Sequence, residues 1–190
     1  AVSIAPAEGE ADLRTALAMG ADRALLVEHD DPLDPWNVAR LLAAVIEREQ
    51  PTFVLMGKQA VDDDSNQVGQ FLAAQLDWPQ ATFASQIEFT DNGLRIHRET
   101  DLGIEVIHVA LPAVVTADLR LNEPRYASLP SILKAKKKPT EHITPAELEI
   151  EPEPRIRLLS MELINSQRHC EKVETADALL AKLREAEVIG

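Results

Sequence analysis

The spacing of apolar residues changes character twice along this chain. In the first third, short apolar runs alternate with helical periodicity. Residues 1–4 form a short apolar strand closed by Pro6. Leu13, Leu17 and Ala21 then mark a helix, with Ala16 and Gly20 thinning its packing face. Residues 24–27 are the next strand, and Asp30 to Pro35 is a loop rich in turn formers. Val38, Leu41, Leu42, Val45 and Ile46 follow the i, i+3, i+4, i+7, i+8 pattern of an amphipathic helix. The run TFVLM at 52–56 is apolar and partly β-branched, so it predicts a buried strand ended by Gly57. Val68, Phe71, Leu72 and Leu76 then recur at helical spacing. Strands alternating with helices of this length predict an α/β fold, doubly wound, with a mostly parallel sheet and right-handed crossovers.

After Trp78-Pro79 the period becomes two. Residues 86–90 and 94–98 alternate polar and apolar around Asp91-Asn92-Gly93, and Asn-Gly is a strong hairpin signal. Residues 104–109 alternate again, so an antiparallel meander is expected over 84–110. Residues 113–117, AVVTA, return to a continuous apolar run and predict a buried parallel strand. Pro124 and Pro130 make 118–130 a loop, with Pro130 as the first residue of a short helix carrying Ile132 and Leu133. Thr144-Pro145-Ala146-Glu147 is a capping box with proline at the first helical position. Residues 149–154 form an acidic, proline-punctuated linker, 155–164 read as strand-like, and 165–174 as polar loop. Thr175 caps a final helix carrying Ala178, Leu179, Leu180 and Leu183. The expected division is an α/β domain over 1–148 and a C-terminal extension, an arm and helix, over 149–190.

Composition narrows the function. The chain has 190 residues, 45% hydrophobic but only 4% aromatic, so the core is built from Ala, Leu, Val and Ile. A net charge of −13 argues against broad binding of nucleic acid or acidic membranes. The single cysteine, Cys170, excludes an intrachain disulfide and a cysteine-rich zinc site. No stretch approaches the roughly 18 apolar residues of a membrane span, so direct membrane insertion is not expected. The chain begins on an apolar strand without an initiator Met, and residues before Ala1 are expected.

The loop after Gly57 is the leading ligand candidate. In an open α/β sheet, ligands sit at the carboxyl end of a strand where the next helix starts. The backbone N–H groups of Ser65, Asn66, Gln67 and Val68 suit a phosphate there. An ordinary βα turn with an acidic helix cap explains the same pattern. The loop is neither GxGxxG nor GxxxxGK[ST]. Asp62, Asp63 and Asp64 fit helix capping or ribose hydroxyls better than a phosphate, and consecutive carboxylates seldom converge on one metal ion. The histidines His29, His97, His108, His142 and His169 show no ligand spacing, and Cys170 beside His169 makes a poor nucleophile pair in a polar loop. Lys134, Lys136, Lys137 and Lys138 read as a solvated helix end or as a rim that steers an acidic partner. Leu129, between Ser128 and Pro130, reads as a residue closing a loop on the core or as an anchor for a partner's pocket.

A resemblance covers these stretches. VTADLRLNEPRY at 115–126, continuing to Leu129-Pro130 and the lysine run 134–138, resembles the signature of the electron transfer flavoprotein β subunit. GKQA at 57–60, Asp62-Asp63-Asp64 and Asn66-Gln67 resemble that family's nucleotide loop. RTALAMGAD at 14–22 and LDWPQ at 76–80 match it as well, in the branch linked to acyl-CoA dehydrogenases.

The resemblance implies an adenine nucleotide α-hydrolase-like fold and a carrier subunit without catalytic residues of its own. A homologous α subunit would be its partner, holding most of one FAD. This subunit would hold a structural AMP through Gly57, Lys58, Gln59, Ala60, Val61, Asp62, Asp63, Asp64, Ser65, Asn66, Gln67 and Val68, with Ile4 backbone added from the first strand. Electrons would come from acyl-CoA and related dehydrogenases of fatty acid β-oxidation and pass to a membrane-bound quinone oxidoreductase. Tyr126, Leu129, Pro130, Ile132, Lys134 and Lys137 would form the recognition surface within 118–138, and 149–190 would pack on the partner subunit. Bacterial cytoplasm and mitochondrial matrix both suit such a carrier. The family has a strand and loop before the residues corresponding to Ala1, so the chain reads as lacking that segment. At position 68, where relatives can carry threonine, Val68 offers only its backbone N–H. Two other functions use the same scaffold: an adenine-nucleotide hydrolase, which would need a phosphate-grasping Ser/Gly loop and a base, and a nucleotide-sensing homodimer.

Overall fold

The computed structural model describes residues 1–163 and 170–189. Among these residues are eight strands and five α-helices, and the first six elements alternate as the apolar spacing predicts: β1 (Val2–Ala5), α1 (Glu10–Met19), β2 (Ala24–Glu28), α2 (Pro35–Glu49), β3 (Phe53–Gly57) and α3 (Val68–Leu76). The meander follows as β4 (Gln80–Thr90), β5 (Gly93–Thr100) and β6 (Gly103–Val109). Then come β7 (Ala113–Ala117), α4 (Leu129–Ala135), β8 (Thr140–Ile143) and α5 (Ala176–Glu185).

The strands form two hydrogen-bonded sheets rather than one. The first is all parallel, in the order β1-β2-β8; the second is mixed, in the order β3-β7-β4-β5-β6. Among the described residues parallel pairs dominate, and only β4–β5 and β5–β6 are antiparallel. β1 pairs with β2 on one side and β3 with β7 on one side. Between these two strands lies a cavity of about 590 Å³, walled by Val2, Leu25, Val45, Phe53, Val54 and Leu55.

Helices cover both faces of the first sheet, as a doubly wound fold requires. Ala24 and Leu26 of β2 pack on Leu13 and Leu17 of α1 and Ala135 of α4. Their neighbours Leu25 and Val27 point the other way, onto Leu41 and Val45 of α2. β7 alternates in the same manner: Val114 packs on α2 and α3, while Val115 packs on the meander. Burial of leucines such as Leu17, Leu26, Leu41 and Leu72 contributes about 1.5–3 kcal/mol each.

Several boundaries differ from expectation. β8 was not foreseen, because four residues of mixed polarity give no period to read. β4 starts at Gln80 and first runs parallel to β7; a register break between Ala81 and Ala84 then turns it into the hairpin. Residues 155–163 form no strand, and Ile156, Leu158, Leu159, Met161 and Leu163 are exposed. Ile164 and the first half of the expected 165–174 loop, with His169, lie outside the described residues. The capping box forms both reciprocal bonds, over a 3-10 turn at Pro145–Leu148. Residues 1–157 make one compact unit, with Arg155 stacked on Trp36. Residues 158–190 make another, in which Thr175 caps α5 and Lys182 pairs with Glu171. No helix among the described residues is long and apolar enough to cross a membrane.

Candidate functional site

The loop after β3 is tied together by its own side chains. Asp63 accepts the Ser65 amide at 3.1 Å and the Ser65 hydroxyl at 2.9 Å. Asp62 accepts the Asp63 amide at 2.9 Å, and Gln59 donates to Asp64. Asp64 and Asn66 sit in the left-handed region, at φ 56° and 50°, which lets the chain turn sharply before α3. The aspartates therefore do not cap α3, which removes one of the two roles the sequence suggested for them. Nor is the Ser65 amide free for a ligand.

The start of α3 is left open by this arrangement. Gln67 occupies the cap position without any side-chain bond to the helix, and the first turn carries no acidic residue. The first N–H groups of a helix bear partial positive charge and need acceptors. Beside them, Oε1 of Gln70 is buried without a hydrogen-bond partner, while its Nε2 reaches Asn66 Oδ1 at 3.4 Å. An anion at the helix terminus and a ligand donor at Gln70 would satisfy both deficits. Gly69 lets α3 approach β7, since a Cβ there would lie 2.5 Å from the Thr116 methyl. Nothing in the residue pattern singled out Gln70 beyond its place in the first turn.

The expected contacts do not all converge. Val61 is fully exposed, and Gln59, Ala60, Asp62, Asp63, Asp64 and Gln67 are exposed too. The amine of Lys58 pairs with Asp118 at 2.6 Å, and that hydrogen bond holds the Asp118 carboxyl below its usual range. Ile4 lines a separate cavity of about 460 Å³ with His29, Leu33 and Val38, whose walls include none of residues 57–68.

The stretch after β7 builds a different surface. Ser128 is extended and its hydroxyl accepts the Ser131 amide, so α4 begins at Leu129, one residue before the expected Pro130. Leu129 is 70% exposed, Tyr126 is fully exposed, and Ile132 and Leu133 are also exposed. Pro130, Lys134 and Lys137 join them on the solvent side. The other side of α4 is strapped to α1. Arg14 donates to the carbonyls of Ala135 and Lys138 at 2.9 and 2.8 Å. Lys138 donates back to the carbonyls of Leu17 and Ala21. α4 thus carries an exposed apolar cluster beside exposed lysines, on a helix tied down at its other side.

Known proteins are similar to this chain in sequence. An electron transfer flavoprotein domain matches residues 1–148. The electron transfer flavoprotein subunit beta of Homo sapiens is 51% identical over 97% of this chain and 74% of its own length. That of Bradyrhizobium diazoefficiens is 47% identical over 96% of the chain. The probable β subunit of Saccharomyces cerevisiae is 45% identical over all of it. With a domain match over residues 1–148 and identity of this extent, the chain belongs to the electron transfer flavoprotein β-subunit family, whose members are electron carriers.

Proposed function

We propose that this chain is the β subunit of a heterodimeric carrier that holds a structural AMP and docks acyl-CoA and related dehydrogenases. The α subunit would hold most of the FAD, take up the electrons and pass them to a quinone oxidoreductase. The observation that carries the reading is the contrast on one face of α4. Leu129 is exposed at the start of α4, where Ser128 caps the helix, while Arg14 and Lys138 tie the helix's other end to α1. An apolar side chain held rigidly in water suits a partner that binds and leaves quickly.

The residues at α3 fit a nucleotide monophosphate. The amides of Asn66, Gln67 and Val68 would face the phosphate, and Gln70 would take a ribose or base donor. Lys58 would not serve the phosphate, because its charge is already matched by Asp118. Bound AMP supplies no redox chemistry; it would neutralise the helix terminus and order the 58–67 loop. The 149–190 region would pack on the α subunit, where its exposed apolar residues would find cover. Mass spectrometry of the purified, denatured complex tests the reading directly. AMP, FAD and an α chain in equal amounts are expected, and a complex with FAD but no AMP would refute the nucleotide assignment.

A further inference from the structure

The Lys58–Asp118 pair joins two regions that are sixty residues apart in sequence. The Asp118 side chain is 8% exposed and that of Lys58 26%, and both line an open cavity of about 550 Å³ with Phe83 and Arg120. Lys58 also lies over the Phe83 ring, 4.9 Å from its centroid. That ring is placed by an unusual backbone. Phe83 sits at φ 59° where β4 breaks register, and its amide donates to the Thr116 hydroxyl at 3.1 Å. The Thr116 methyl in turn underlies Gly69 in the first turn of α3.

On its far side, Asp118 organises the start of the docking stretch. Its second oxygen accepts the Arg120 amide at 3.1 Å, and its carbonyl accepts the Leu121 amide at 3.1 Å. Packed and hydrogen-bonded contacts therefore run without a break from Gly69 through Thr116, Phe83, Lys58 and Asp118 to the 118–121 turn.

We propose that Lys58 is a positioning residue through which the nucleotide loop and the docking stretch are energetically coupled. The coupling rests on the nucleotide reading above. Residues 59–64 are held by hydrogen bonds among exposed groups, which compete with water. A ligand at the α3 terminus orders this loop, fixes the backbone that launches Lys58, and so strengthens its hold on Asp118. The turn at 118–121 then opens less often. Linkage makes the effect reciprocal: a docked partner tightens the nucleotide.

The test is amide hydrogen exchange on the complex with its α subunit, first depleted of nucleotide and then given AMP. In the unaltered protein, AMP slows exchange by about fivefold or more both at 65–70 and at the Arg120 and Leu121 amides. Lys58→Met keeps the stem over Phe83 but removes the charge, and Asp118→Asn removes the other half. Both retain the slowing at 65–70 and lose it at Arg120 and Leu121, whereas Lys58→Arg keeps both. Slowing at Arg120 and Leu121 that survives in Lys58→Met, or that is absent from the unaltered protein, overturns the coupling alone. No slowing at 65–70 in the unaltered protein overturns the nucleotide reading, and the coupling with it.

Discussion

Two loop-to-helix junctions in this chain start from similar material and end with opposite surfaces. At α3 the cap residue Gln67 makes no bond to the helix, and the loop's aspartates are spent on Ser65 and Gln59. The helix presents unsatisfied amides. At α4 the Ser128 hydroxyl takes the Ser131 amide, and Pro130 has no amide to satisfy. The helix presents a side chain, Leu129, instead. Which partner a helix start can recognise depends on whether its own sequence has already supplied the acceptors.

The comparison can be broken by substitution. Leu129→Ala removes the side chain without touching the cap. We expect the Michaelis constant of a partner dehydrogenase for the carrier to rise roughly thirtyfold, as for an anchor worth about 2 kcal/mol. The flavin absorbance of the complex should stay as it was. An unchanged constant would remove α4 from the docking account.

Gly69→Ala acts on the other junction. The added methyl would meet the Thr116 methyl at 2.5 Å. Overpacking of this kind costs about 1–3 kcal/mol, read as a lower urea midpoint, with loss of bound AMP. Ordinary stability would mean that α3 has room to move away from β7.

Ser128→Ala and Gln67→Ala sharpen the contrast as a pair. The first should lose about 1 kcal/mol, the second close to nothing, because only Ser128 makes a capping bond. Equal losses in chemical denaturation would show that Gln67 does cap α3 in solution.

The smallest effect concerns how α4 is anchored. His142 lies between Glu28 and Glu10, and Glu10 also pairs with Arg14, which holds the α4 carbonyls. Its hydrogen bond to Glu28, aided by the charges of Glu28 and Glu10 and opposed by desolvation, raises its pKa. A raised folded-state pKa stabilises the fold below the unfolded value of about 6.5, and that stability fades as pH rises through the folded value. Stability should therefore fall slightly as pH is taken upward from 6.5, and His142→Gln should flatten that slope. The ring is partly exposed, so added salt should shrink the effect.

The elements that reading the sequence placed well are those whose period is strong and local. The α2 pattern from Val38 to Ile46 and the AVVTA run of β7 each carry enough apolar positions to fix their face. The signature around Asp118 and Leu129 pointed to the family because it is a contiguous string. The elements it misplaced depend on partners elsewhere in the chain. β8 exists because β2 offers a parallel edge to Thr140–Ile143, whereas residues 155–163 alternate suggestively but pair with no strand. The true start of α4 depended on one hydroxyl, and helix ends are decided by such single bonds.

The sequence by itself determined most of the alternation of strands and helices, the acidic and cysteine-poor character, and the family. Those are properties of local spacing and composition. Only the tertiary structure decided what each polar residue does. It sent the Lys58 amine to Asp118 rather than to the α3 terminus, and used the aspartates to close their own loop. It left Gln70 without an acceptor's partner and put Phe83 beneath Lys58 through a break in β4. Charges and hydrogen-bonding groups choose partners by distance in space. Sequence spacing cannot show that distance for residues 58 and 118.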